Sequence, residues 1–248
     1  MENEKIVVMY RVKNEERWIK QSIESIYDLC SEIVILDDGS TDKTGEIYSK
    51  FDKVTDVYFQ ENEPLDEVRD RNKLLEMGLK TNPDILFSLD GDEILMPNAQ
   101  SILTEELDVL HPNSKVFSFQ FLTFWDSLEQ IRYDGYAGNF WQPRLFRVSD
   151  QPKNLKFEPT ELNGNLHGGS LPTNTIGLNY PVRSNVKIFH CASIDEKIRK
   201  RKYDWYNTID KNNLNTDCYI HMIGGEGRFS GPNGVELKPT PSDLFIDT

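Results

Sequence analysis

Apolar residues in the first third of the chain alternate between two periods. Residues 6–9 (IVVM) are an unbroken apolar run, the pattern of a strand buried on both faces of a sheet. From residue 14 the spacing changes. Ile19, Ile23, Ile26, Tyr27 and Cys30 fall on one helical face, with Glu15 and Glu16 placed in the first turn, where the helix dipole favours anions. Residues 33–36 (IVIL) read as a second buried strand, running into DDGSTDKT, a turn that can open a helix over 46–51. Residues 54–59 read as a third strand. Leu65, Val68, Asn72, Leu75 and Leu79 trace another helical stripe, and 84–89 form a fourth strand that ends in DGDE.

Strands alternating with helices of ordinary length predict an α/β fold with a largely parallel sheet. In such sheets ligands bind beyond the carboxyl ends of the strands. Here those ends carry Tyr10-Arg11, Asp37-Asp38 and Asp90-Gly91-Asp92, so that edge is the expected site. Further on, the pattern predicts a helix from 97 to about 110 and an aromatic strand over 116–125. Residues 126–181 are rich in glycine and proline, with one periodic run at 144–148, and read as a loop region building a pocket wall. A strand at 186–189 delivers His190. Ser193-x-x-Glu196 has capping-box spacing and opens a helix with Ile194, Ile198, Trp205 and Ile209 on one side. After residue 223 the chain reads as an extended tail.

Composition narrows the function. The chain has 248 residues, 38% of them hydrophobic, enough for a real core and too many for disorder. Lys and Arg number 28 against 41 Asp and Glu, a net charge of −13 that argues against nucleic-acid binding and against a general electrostatic hold on anionic lipid. Cys30, Cys191 and Cys218 include no CxxC pair, which excludes a thiolate zinc site and fits a reducing compartment. No apolar run approaches the ~18 residues of a transmembrane helix, and the first residues are too short an apolar stretch for a signal peptide. The expectation is a cytoplasmic protein, with peripheral attachment to the inner face of a membrane left open.

Four features carry candidate chemistry. Asp90 and Asp92 flank a glycine at a strand end, which suits a hard divalent cation bridging protein and phosphate oxygens; a solvated turn is the plainer alternative. In Asp37-Asp38 one carboxylate could accept hydrogen bonds from a nucleobase or ribose, while an Asx turn would use the same residues. His190 is either a metal ligand or an ordinary strand-end histidine. Residues 197–202 (KIRKRK) hold five cations in six positions, a solvated face in most proteins but the one dense basic cluster of this acidic chain. Arg199 and Lys202 share a helical face, with Tyr206 a turn beyond, and could meet a diphosphate.

The segment VVMYRVKNEERWIKQSIESIYDLCSEIVILDDGSTDKTGEI resembles the opening of family 2 glycosyltransferases, and RDRNKLLEMG and ILFSLDGDE resemble that family's arginine-asparagine helix and DxD strand. WQPRLFRV and FHCASIDEKIRKRKYDWY are similar to a subset with an arginine-rich strand, a distal histidine and an Arg-x-x-Lys-Tyr helix. The resemblance implies a GT-A fold: a domain over 1–215 with a nucleotide-binding half (1–95) and an acceptor- and metal-completing half (96–215), then a tail over 216–248. It implies a nucleotide-diphosphate sugar donor, uridine foremost, a Mn²⁺ or Mg²⁺ ion, inversion at the anomeric carbon, and a glycan, lipid-linked or protein acceptor. By the same resemblance Asp38 contacts the base and the backbone near Tyr10 and Arg11 lines its pocket, with Glu15 nearby. Asp90 sits near the ribose, Asp92 and His190 hold the metal, Arg71 reaches a phosphate or the sugar, and Arg199 and Lys202 neutralise the departing diphosphate.

The catalytic base is not transferable in this way. Relatives carry an acid-rich motif about thirty residues before the distal histidine, where this chain reads FEPTELNGNLHGGSLP. Glu161 is the candidate, with His167 and Asp134 behind it; the alternative is that Glu161 only satisfies loop amides. Two other classes compete, a sugar-phosphate nucleotidyltransferase and a nucleotide-sugar binding protein without turnover. YRVKNEERW lacks the glycine-rich loop of the first, and an acidic pair with a distal histidine is a costly cluster for the second.

Overall fold

The computed structural model describes residues 4–61, 63–135, 137–161, 164–166, 169–210, 219–227 and 229–242. Strands β1 (Ile6–Val12), β2 (Glu32–Asp37), β3 (Val54–Phe59) and β4 (Ile85–Asp90) alternate with helices α1 (Ile19–Ile26), α2 (Thr44–Tyr48) and α3 (Glu67–Lys80). They form a parallel block ordered β4-β1-β2-β3. Side chains alternate across it as the pleat requires. Val8, Tyr10, Ile33, Ile35 and Phe87 face α1 and the later helix α4 (Ala99–Glu105), while Val7, Met9, Val34, Leu36 and Leu86 face α3. Burial on both faces explains why these strands are unbroken apolar runs. On the α3 side the packing is close enough that a Cβ on Gly78 would lie 2.9 Å from Met9 Sδ, so that helix needs a glycine there.

Beyond β4 the sheet continues with strands that pair antiparallel, with one exception. β5 (Glu93–Leu95), β6 (Val116–Trp125), β7 (Ser127–Arg132), β8 (Trp141–Arg147), β9 (Val182–His190) and β10 (Leu237–Pro239) complete it in the order β10-β7-β6-β8-β4, with β9 joining β5 and running parallel to β6. The architecture is a mixed α/β sheet of the GT-A kind, as expected. The pairing of β5 with β9 sets Glu93 opposite His190 and so carries the histidine back to the acidic edge.

Several elements differ from the sequence pattern. α1 begins at Ile19, not at 14, because Asn14 adopts φ 58° and the amides of Asn14, Glu15 and Glu16 bond to Ser40, Thr44 and Asp42 side chains instead of entering a helix. α4 stops at Glu105 and runs into a π-turn over Glu106–Leu110. The region read as loop contains β7 and β8. Helix α5 (Glu196–Ile209) is capped by Asp195, which accepts from the Lys197 and Ile198 amides, and not by Ser193. The segment expected to trail away forms a 3₁₀ turn at Ile220–Ile223 and the strand β10 against β7. Among the described residues, no helix is long and apolar enough to cross a membrane.

Candidate active site

The carboxyl ends of β1, β2 and β4 lie side by side. Arg11 is the register partner of both Leu36 and Asp90, and Val12 that of Asp37. The DDGSTD turn divides its labour. Asp37 faces inward, accepting the Ser40 amide at 2.7 Å and the Tyr48 hydroxyl at 3.1 Å, and so builds the turn. Asp38 points to the edge, where it is nearly buried: Oδ1 accepts from Gln60 Nε2 at 2.7 Å, and Oδ2 accepts from Arg11 at 3.1 Å and Lys13 at 3.4 Å. Arg11 also bonds Asp70, a fully buried carboxylate that is tied to Arg69 and Gln60 as well.

Around the DGD turn the charges are arranged in a second group. Glu93 accepts the Asp90 amide at 3.1 Å and binds the Arg144 guanidinium, whose Nη2 is also 3.5 Å from Asp90 Oδ2. Arg144 lies over the Phe121 ring at 5.1 Å. Burial opposes ionisation of Asp90, yet Arg144, Arg71 and Arg11 hold its carboxyl below the ordinary range. The glycine between the two aspartates is required by space. A Cβ there would meet Glu15 Cγ at 2.8 Å, because Glu15 folds over the turn. Burial and the neighbouring Asp92 push the Glu15 carboxyl up to about 9.

Asp92, almost fully buried, points to His190, whose Nε2 is 4.0 Å from Asp92 Oδ1. Burial lowers the His190 pKa, which keeps the imidazole neutral, the form that binds metal. On the other side Lys202 Nζ is 3.8 Å from Asp92 Oδ2. These groups open onto a cleft of about 50 Å³ between residues 13–18 and α5, lined by Lys13, Glu15, Arg17, Asp92, Arg201 and Lys202 among others. Among the described residues no three His, Cys, Asp or Glu side chains converge on a metal position; Asp92 and His190 are the pair that could hold an ion.

The structure therefore gathers Arg11, Glu15, Asp38, Arg71, Asp90, Asp92, His190 and Lys202 at one edge. Tyr10 reaches the edge through its backbone, its side chain being fully buried on the α1 face, 3.0 Å from Ser22 Oγ. Two assignments are corrected. Arg199 does not face the diphosphate position. It is buried over Trp125 at 4.1 Å, donating to Ser193 and Met222 carbonyls and pairing with Asp126. Asp134 is no free base, since Arg132 binds both its oxygens at 3.0 and 2.5 Å and the Glu236 amide adds a third bond. Glu161 stays exposed, on a loop closed on itself by the Thr160–Gly164 bridge and held to the start of α3 by Asn165 with Asp66. His167 lies outside the described residues.

Arg144, Glu93, Gln60 and Asp70 are site residues that the pattern did not point to. Only Arg144 left a signal: a charge inside the buried strand WQPRLFR must have a buried partner. Its Nε and Nη1, with Arg71 Nε, are buried without a hydrogen-bond partner, donor capacity held beside Asp90.

A parallel α/β half with an aspartate pair at its carboxyl edge, approached by a histidine at the end of β9, is an architecture of the GT-A kind. Residues 7–158, more than half of the chain, match the model of glycosyl transferase family 2, and the chain belongs to that family and is a glycosyltransferase. No curated protein matches it by sequence. Among solved structures it is similar to Staphylococcus aureus TarS 1-349 in complex with UDP-GlcNAc, with 18% identity and a TM-score of 0.55 over 89% of this chain and 70% of that one. The structure titled as TarS 1-349 alone gives 18%, 0.54, 89% and 69%. Glucosyl-3-phosphoglycerate synthase from Mycobacterium tuberculosis, in complex with Mn²⁺, UDP and phosphoglyceric acid, is similar over 49% of this chain and 43% of that one, at 22% identity and a TM-score of 0.34.

Proposed function

We propose that the protein transfers a sugar from a uridine-diphosphate donor to a hydroxyl of a glycan, lipid-linked or protein acceptor, with inversion and with the help of Mn²⁺ or Mg²⁺. The observation that carries this reading is the approach of His190, from the end of β9, to Asp92 in the turn after β4, 4.0 Å apart beside an edge built for a nucleotide. A carboxylate and a neutral imidazole fit a hard-to-borderline divalent ion, and two protein ligands leave room for diphosphate oxygens. When bound, the ion would supply charge stabilisation to the departing nucleotide. TarS, which shares the fold, has been crystallised with UDP-GlcNAc, and that supports the choice of donor.

The chain's own residues then have separate tasks. Asp38, fixed by Gln60 and Arg11, accepts from the base; Asp90, kept ionised by its arginines, meets the ribose. Arg71 reaches a phosphate or the sugar, and Lys202 faces the diphosphate. Leaving-group charge is thus matched without a proton, while the acceptor hydroxyl must lose one as it attacks from the far side. Glu161, exposed on its tethered loop, is the base of this reading, with His167 in the same loop sequence as the second candidate. The test is a panel of nucleotide sugars with Mn²⁺, read without acceptor by released nucleotide and by the anomeric configuration of the freed sugar. Release of uridine diphosphate and an inverted sugar from one donor is expected. Pyrophosphate release, or a retained configuration, would overturn the reading.

A further inference from the structure

The cluster at the DGD turn has its charges balanced in an unusual way. Three carboxylates, Glu15, Asp90 and Asp92, approach one another there, and the Arg144 guanidinium is taken up by Glu93 and Asp90. The cation left for Asp92 is Lys202, with Nζ 3.8 Å from Oδ2 on the side away from His190 Nε2. The cleft into which it projects holds about 50 Å³, well short of the ~300 Å³ or more of a pocket that encloses a small-molecule ligand. This side chain is about two-fifths exposed as a whole and has a flexible four-carbon stem, so its ammonium can leave without moving α5, which is pinned by Asp195 and by the buried Arg199.

We infer that Lys202 is a resident counter-cation: without donor its ammonium occupies the surroundings of Asp92 that a divalent ion needs, and the donor diphosphate draws it away, so that metal and nucleotide enter together. This rests on the reading of Asp92 and His190 as the metal pair. A fixed positive charge within ~4 Å of a ligand carboxylate opposes the approach of a second cation until new negative charge arrives. The diphosphate supplies that charge and gives the ammonium a better partner than Asp92. The empty enzyme is thereby kept from taking up metal in an unproductive state.

Mn²⁺ binding to the full chain, followed by the electron paramagnetic resonance of the free ion with and without UDP, tests this. Lys202→Met is expected to bind Mn²⁺ about tenfold tighter than the wild type when UDP is absent. With saturating UDP that advantage is expected to vanish. Lys202→Arg, which keeps the charge, should bind Mn²⁺ weakly like the wild type, and Lys202→Gln should repeat the methionine result with a polar side chain. Unchanged or weaker Mn²⁺ binding by both neutral variants without UDP overturns the counter-cation role, as does an advantage that persists undiminished with UDP. Asp92→Asn separates the two readings: if it leaves Mn²⁺ binding intact, the metal pair itself is wrong and the inference falls with it.

Discussion

Adjacent acidic residues in this protein do different work because the backbone aims them differently. Asp37 and Asp38 follow one another, yet the first is spent on a turn amide and a tyrosine hydroxyl while the second is presented at the edge. The residue pattern alone leaves open which of the pair does each task, since strand register decides it, and only the family resemblance singles out Asp38. Glu15 was legible as a site residue, but not its environment, which depends on Gly91 and Asp92 arriving from another strand. That environment has a measurable consequence. An ordinary glutamate ionises near 4.5 and Glu15 near 9, so the folded state holds one more proton between these values. Its contribution to stability is complete below the lower value and is lost as pH rises through the upper one. Glu15→Gln should therefore raise the melting temperature relative to wild type at pH 8 and progressively less toward pH 5. A difference in melting temperature that does not vary with pH would contradict this.

At the scale of elements, periodicity found the parallel block because β1, β2 and β4 are buried on both faces and its helices on one, while β3 at its edge is largely exposed. It failed where burial is one-sided or charge is buried. β7 (SLEQIR) shows three exposed positions in a row, and β10 is three residues long, so neither has an apolar pattern to read. In α5 the apolar stripe was the wrong guide: Trp205 is exposed and Arg199 is the buried residue. A guanidinium is buried only with partners, and its partners here are main-chain carbonyls of segments far apart in sequence, Ser193 and Met222, together with Asp126. Arg199 thus fastens α5 to both the end of β6 and the C-terminal 3₁₀ turn. Loss of its hydrogen bonds and its stacking on Trp125 in Arg199→Met should cost roughly 2–4 kcal/mol in chemical denaturation, with donor affinity reduced only as far as α5 loosens. A variant as stable as wild type but unable to bind donor would return Arg199 to the diphosphate.

For the whole molecule, the net charge of −13 conceals an organised edge. Carboxylates from β2, from the turn after β4 and from the segment before α1 collect where three parallel strands end, and arginines from β1, α3 and β8 interleave with them. The extension beyond β4 then brings a histidine and a lysine to the same place. This convergence was only half visible beforehand. The parallel half announces its own edge through strand ends, whereas the path that returns β9 to β5 depends on pairings that no local pattern encodes. The central claim is that Asp92 and His190 form a metal pair for sugar transfer. It is tested most directly by titrating Mn²⁺ against nucleoside diphosphate release for the wild type, Asp92→Asn and His190→Ala. Metal-dependent release is expected in the wild type, none in Asp92→Asn with the fold intact, and a shift of the titration to higher Mn²⁺ in His190→Ala. Full activity in Asp92→Asn, or an unmoved titration in His190→Ala, would contradict it.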